Sequence, residues 1–111
     1  MKTADRKAAV AAYKERKATP GIFAVRCLAT GDVWIGESRN IDSQQNGIWF
    51  ALRQGSHMNR ELQAAWRTHG PEAFVFEQLE RLEPEDVTYV LRSQLRERAT
   101  FWLNKAGARK L

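Results

Sequence analysis

The chain has 111 residues, enough for one domain with a modest core of its own. Hydrophobic residues make up 43% and charged residues 28%, a balance ordinary for a soluble globular protein. The single cysteine, Cys27, excludes an intrachain disulfide, and its place inside an apolar run marks it as a small buried side chain. The first residues carry no long apolar stretch, so neither a signal peptide nor a membrane span is expected, and a cytoplasmic location follows.

The net charge of +5 is unevenly spread. Residues 1–20 hold six basic and two acidic side chains and residues 83–111 hold six and four, whereas residues 21–82 hold six against seven. The excess therefore sits at the two ends of the chain, where it reads either as a solvated surface or as a phosphate-binding one.

Residues 4–16 are rich in alanine, lysine and glutamate, and propensity predicts a basic N-terminal helix within residues 1–20, stopped at Thr19-Pro20. Residues 21–36, GIFAVRCLATGDVWIG, place two β-branched and aromatic runs around a Thr30-Gly31-Asp32 break, the pattern of a β-hairpin. Ser38-Arg39-Asn40 then caps a helix over Ile41–Gln54, with Ile41, Ile48, Trp49 and Leu52 on one side and Gly55 at its C-cap. Another helix covers roughly residues 59–69, burying Leu62, Ala65 and Trp66 before Gly70-Pro71; His69 there makes a favourable dipole contact. Residues 73–79 suit a third strand through Phe74 and Phe76. Glu83-Pro84-Glu85-Asp86 opens a final helix whose stripe is Val87, Leu91, Leu95, Ala99 and Trp102, ending near Ala106. This order predicts an α+β fold: a small three-stranded sheet flanked by helices, with an added N-terminal helix. The divisions are residues 1–20, a body over residues 21–106, and a basic tail over residues 107–111.

The two glycine-bearing ends of the hairpin, Gly21-Ile22-Phe23 and Trp34-Ile35-Gly36, resemble the paired half-motifs of the GIY-YIG nuclease family in order and separation. The resemblance continues through Gln54-Gly55-Ser56-His57 and Thr100-Phe101-Trp102-Leu103, and so covers residues 21–106. It implies the family's three-stranded sheet flanked by helices. It also implies a site for phosphodiester hydrolysis built from a tyrosine in each half-motif, an arginine on the next helix, a histidine, and a metal-binding glutamate on a later helix. Such chemistry needs a group that makes the nucleophile, a cation on the developing charge, and a carboxylate for a divalent metal.

Carried over position by position, that set is altered. The tyrosine positions hold Phe23, which has no hydroxyl, and Trp34, which can donate a hydrogen bond but cannot act as a base. The arginine position, counted without a gap from the hairpin, holds the uncharged Gln44. Arg53 lies nine residues further, half a turn round an ideal helix, so Arg39 is the better replacement cation. His57 stands at the histidine position. The glutamate position holds Ala99, which has no oxygen to offer Mg²⁺, and Glu97, the nearest carboxylate on that helix, turns away from the apolar stripe. One cysteine and one histidine-bearing loop make no zinc site.

The resemblance thus implies a nuclease-like domain directed to nucleic acid, with DNA the expected partner and hydrolysis weak or lost. Its catalytic positions are His57, Phe23, Trp34, Gln44 and Glu97, with Mg²⁺ as cofactor if it is active. Arg39, Arg53, Lys14 and Lys17 are the expected nucleic-acid contacts, and the other cations of the two chain ends (Lys2, Arg6, Lys7 and Arg16, with Lys105, Arg109 and Lys110) are expected to add sequence-independent phosphate contacts. The alternatives are an active metal-dependent DNA endonuclease with an unconventional site, and a protein-interaction domain on a nuclease scaffold. Strand alternation puts Phe23 and Trp34 on one face, where they are expected to line a shallow cleft with His57 at its rim.

Overall fold

Strand β1 (Gly21–Cys27) is apolar along almost its whole length because both of its faces are covered. It is the inner strand between β2 (Val33–Ser38) and β3 (Phe74–Arg81), antiparallel to each. A computed structural model describes residues 18–111. The predicted N-terminal helix, with Lys14 and Lys17, falls outside the described residues. The β1–β2 reversal is closed by the Cys27 amide donating to the Asp32 carbonyl at 2.9 Å and the Gly31 amide donating to the Cys27 carbonyl at 2.8 Å.

Three helices pack on this sheet: α1 (Ile41–Gln54), α2 (Arg60–His69) and α3 (Thr88–Ala106). The Ser38 hydroxyl organises the entry to α1, accepting from the Asn40 amide at 3.1 Å and donating to Gln44 Oε1 at 2.7 Å. Asn59 caps α2 through its side chain, which accepts from the Leu62 amide at 3.0 Å. The final helix starts at Thr88, later than its acidic lead-in suggests. There the Glu85 carboxylate accepts from the Val87 amide at 3.0 Å, so residues 83–87 form a non-helical approach. Strand β3 begins at Phe74, after a short 3₁₀ turn over Pro71–Ala73, and runs on to Arg81.

The sheet has a fourth strand that the sequence pattern did not reveal. Residues 109–110 of the expected basic tail form β4 (Arg109–Lys110), parallel to β2, giving the order β3-β1-β2-β4. The Leu111 amide extends the pairing by donating to the Ile35 carbonyl at 2.9 Å. Arg109 ties the strand down through ion pairs with Asp32 on the hairpin turn and Glu61 on α2.

The period-2 alternation of β1 and β2 divides the core in two. Phe23, Val25, Cys27 and Trp34 face α1 and α2, meeting Ile41, Ile48, Leu52, Leu62 and Trp66. Ile22, Ala24 and Ile35 face α3, meeting Leu95 and Ala99. Glu80 fastens α3 to β3 by accepting from Arg98 Nε and from Trp102 Nε1, each at 2.8 Å. Partial burial pushes the Glu80 carboxyl up, but the Trp102 and Arg98 bonds outweigh it and leave it below the usual carboxylate range.

The first glycine of the hairpin and the last are required by close approach. A Cβ at Gly21 would lie 2.3 Å from the Glu80 carbonyl oxygen on β3, and one at Gly36 would lie 2.6 Å from Phe23 Cζ. Gly47, by contrast, sits exposed in the middle of α1 with nothing within 4 Å of an added Cβ. Two substitutions with the same added methyl should therefore move stability in opposite directions. Gly36→Ala should cost about 1–3 kcal/mol by overpacking, whereas Gly47→Ala should add roughly 0.5–1 kcal/mol through helix propensity. Denaturant unfolding of both variants checks this; a Gly36→Ala midpoint equal to the parent's would refute the close-approach account.

Candidate nucleic-acid interface

Phe23 and Trp34 share one face of the sheet, as the pairs Phe23↔Gly36 and Val25↔Trp34 require. They do not line a cleft. Each is only 1% exposed, because α1 and α2 close over that face. The Phe23 ring stacks on Phe76 at a centroid distance of 5.2 Å. Its Cζ atom, where a tyrosine would carry its hydroxyl, lies over Gly36 beside the Leu111 side chain. Trp34 Nε1 is buried and finds no acceptor among the described residues, a cost of about 1–3 kcal/mol for a desolvated donor.

The open surface lies beside these rings, as three adjoining hollows. The first, of about 240 Å³, is lined by Gln44, Gly47, Ile48, Ala51, Ser56, His57 and Met58. The second, of about 480 Å³, is lined by His57, Met58, Asn59, Lys110 and Leu111. The third, of about 530 Å³, lies between β2, β4 and α3 and includes Gly36, Glu37, Arg96, Ala99, Thr100, Lys110 and Leu111. His57 and Met58 are a wall common to the first two, and Lys110 and Leu111 are common to the last two. Gln44 and His57, distant in sequence, thus share one hollow, and Ala99 lines another that is linked to it through the second hollow by His57, Lys110 and Leu111.

Local folding sets the state of each group. Gln44 is held by the Ser38 hydroxyl at the start of α1. His57 Nδ1 accepts from the Asn59 amide at 3.0 Å, and the His57 amide donates to Gln63 Oε1 at 3.0 Å. Gln63 is itself buried and anchored, donating to the Leu52 carbonyl at 3.0 Å. Partial burial lowers the His57 pKa and favours the neutral imidazole. The other expected residues stand apart. Arg39, Arg53 and Glu97 are exposed and line none of the three hollows.

Sequence reasoning missed Glu37, Arg96 and Thr100, whereas Lys110 was already expected among the phosphate contacts of the basic C-terminal end. Glu37 was recoverable, since alternation from Ile35 puts it on the α3 side of β2. Arg96 precedes Ala99 by three positions, a helical neighbour spacing. For Lys110 the charge of the tail was the signal, and only its place beside Ile35 depends on β4.

The residues at the family's metal position do not fit a divalent cation. Ala99 offers a methyl group where the resemblance calls for a carboxylate, and among the described residues Glu37 is the one carboxylate side chain lining the third hollow. Among the described residues, no group of three or more His, Cys, Asp or Glu side chains could hold a metal ion.

A mixed sheet flanked by helices, with the hairpin half-motifs beside this groove of linked hollows, has the architecture of a GIY-YIG-like nuclease fold. Solved structures agree. The chain is similar to a mutant of the catalytic domain of intron endonuclease I-TevI, with TM-score 0.68 and 22% identity over 80% of this chain and 84% of that one. It is also similar to the catalytic domain of homing endonuclease I-TevI, with TM-score 0.69 and 20% identity over 83% of this chain and 97% of that one. No protein-family model and no curated protein matches the sequence.

The His57 environment makes stability depend on pH. Its lowered folded pKa means that the unfolded chain takes up the proton more readily, so this contribution is complete above the ordinary value of 6.5 and is lost as pH falls below it. The melting temperature should therefore decline between about pH 7 and pH 5, and His57→Gln should flatten that part of the profile. Parallel profiles for parent and variant would refute the assignment.

Proposed function

We propose that this nuclease-like domain binds nucleic acid, DNA in the first place, along the groove and hydrolyses phosphodiesters weakly or not at all. The observation that carries the reading is Ala99, which lines the third hollow at the position where the family resemblance calls for a metal-binding glutamate. The remaining positions point the same way. Phe23 and Trp34 supply no proton-transfer hydroxyl, and a well-placed acid or base is typically worth about 10²–10⁴-fold. Gln44 brings no charge to stabilise a transition state. Glu97, on which an unconventional active site would have to draw, stands outside the groove.

Binding draws on the basic side chains instead. Arg39, Arg53, Lys14 and Lys17 supply sequence-independent phosphate contacts, and such contacts weaken steeply as salt rises because neutralised phosphates release counterions.

Purified protein should retard single- or double-stranded DNA at low salt, lose it as salt is raised, and leave it uncut with Mg²⁺ or Mn²⁺. Efficient metal-dependent cleavage would overturn the loss of hydrolysis. Absence of any retardation at low salt would overturn nucleic-acid binding and favour an interaction domain.

A further inference from the structure

We infer that the hollow between β2, α3 and β4 grips an internal phosphodiester of the nucleic-acid backbone directly on Arg96 and Lys110, with no metal ion between. This rests on the nucleic-acid-binding reading above and names the contact at the heart of the groove. With a methyl group at Ala99, a phosphate in this hollow must draw its positive partner from the protein. Arg96 and Lys110 provide it from two different elements. Arg96 comes from α3, three residues before Ala99, and Lys110 comes from β4, paired beside Ile35.

Both cations are available. Arg26, Arg81, Arg98 and Arg109 are each engaged with a carboxylate, whereas Arg96 and Lys110 make no ion pair or side-chain hydrogen bond with another described residue. The Arg109 ion pairs to Asp32 and Glu61 hold β4 in place and so fix where Lys110 begins. Thr100, one turn beyond Arg96, adds a hydroxyl donor to the same wall. A guanidinium fork and a point-charge ammonium are complementary ways to hold phosphate oxygens. The volume of about 530 Å³ leaves room for the sugars on either side of the phosphate.

Glu37 sets the class of phosphate. It is the carboxylate side chain among the described residues that line this hollow, and it repels a doubly charged phosphate more than a singly charged one. That favours the single negative charge of a diester over a terminal monoester, which carries about −1.5 to −2 near neutral pH.

The test is fluorescence anisotropy of a short labelled DNA duplex with the full chain, in EDTA and in Mg²⁺, across a salt series. The parent should bind equally in both buffers. Arg96→Ala and Lys110→Ala should each weaken low-salt binding severalfold and make the log–log salt slope shallower by about one. Arg67→Ala, which removes the same charge from an exposed site outside the hollow, should leave the slope near the parent's. Inorganic phosphate should compete poorly with the parent and better with Glu37→Gln. Both tested cations are exposed, and matching melting temperatures will show that the variants are folded. Parent binding with unchanged slopes for Arg96→Ala and Lys110→Ala would overturn this inference while leaving nucleic-acid binding intact. Binding that requires Mg²⁺ would overturn it too. A parent that does not bind at low salt would fail the underlying reading itself.

Discussion

Among the described glycines, those with least room for a side chain stand where β1 meets its two neighbours. At Gly21 the chain leaves no room for a side chain against the Glu80 carbonyl of β3, and at Gly36 none against the Phe23 ring. Those two approaches place β1 between β2 and β3 with both faces covered, and they fix which residues go to which core. Phe23 and Trp34 are committed to the α1–α2 side, and Ile22, Ala24 and Ile35 to the α3 side. The rest follows in space. Ser38, the last residue of β2, sets the start of α1, and β2 also offers the edge along which β4 pairs.

The same packing changes what the half-motif aromatics can do. A tyrosine hydroxyl at position 23 would emerge over Gly36, at a place where Leu111 contributes apolar contact. Phenylalanine suits that surround, because it asks for no hydrogen-bond partner and gains a stacked contact with Phe76. Trp34 is the less comfortable solution. Its ring fills the core, but its buried Nε1 has no acceptor among the described residues, so packing volume outweighs a lost hydrogen bond. Both positions act as core, and any chemistry of the domain has to be carried by the neighbouring groove.

Much of the fold was legible because its signals are local. Helix α1 occupies the very range that its apolar spacing indicated, and Asn59 and Gly55 act at the ends of helices as their types suggest. The start of α3 misled, since Glu83-Pro84-Glu85-Asp86 has the composition of a helix N-terminus. The Val87 amide donating to the Glu85 carboxylate competes with the helical turn there. Strand β4 was illegible, because two exposed residues have no period and their pairing is set entirely by β2. The candidate site divides in the same manner. Gln44 and His57 line a common hollow. Glu37, Arg96 and Lys110 come from three separate elements and meet only through topology.

That topology also explains why composition understated the groove. The body of the chain is nearly neutral, and the positive excess belongs to its ends. Of the six basic residues in 83–111, Arg98 is held by Glu80, Arg109 by Asp32 and Glu61, and Lys105 lies over the Phe101 and Trp102 rings. Those three serve the architecture. Arg92 remains exposed one turn before Arg96, and Arg96 and Lys110 face the hollow. Helix α3 and β4 therefore carry terminal charge back onto the β2 edge of the sheet. A modest net charge becomes a local field there, where a chain of phosphates can reach it and where focusing between low-dielectric walls strengthens it.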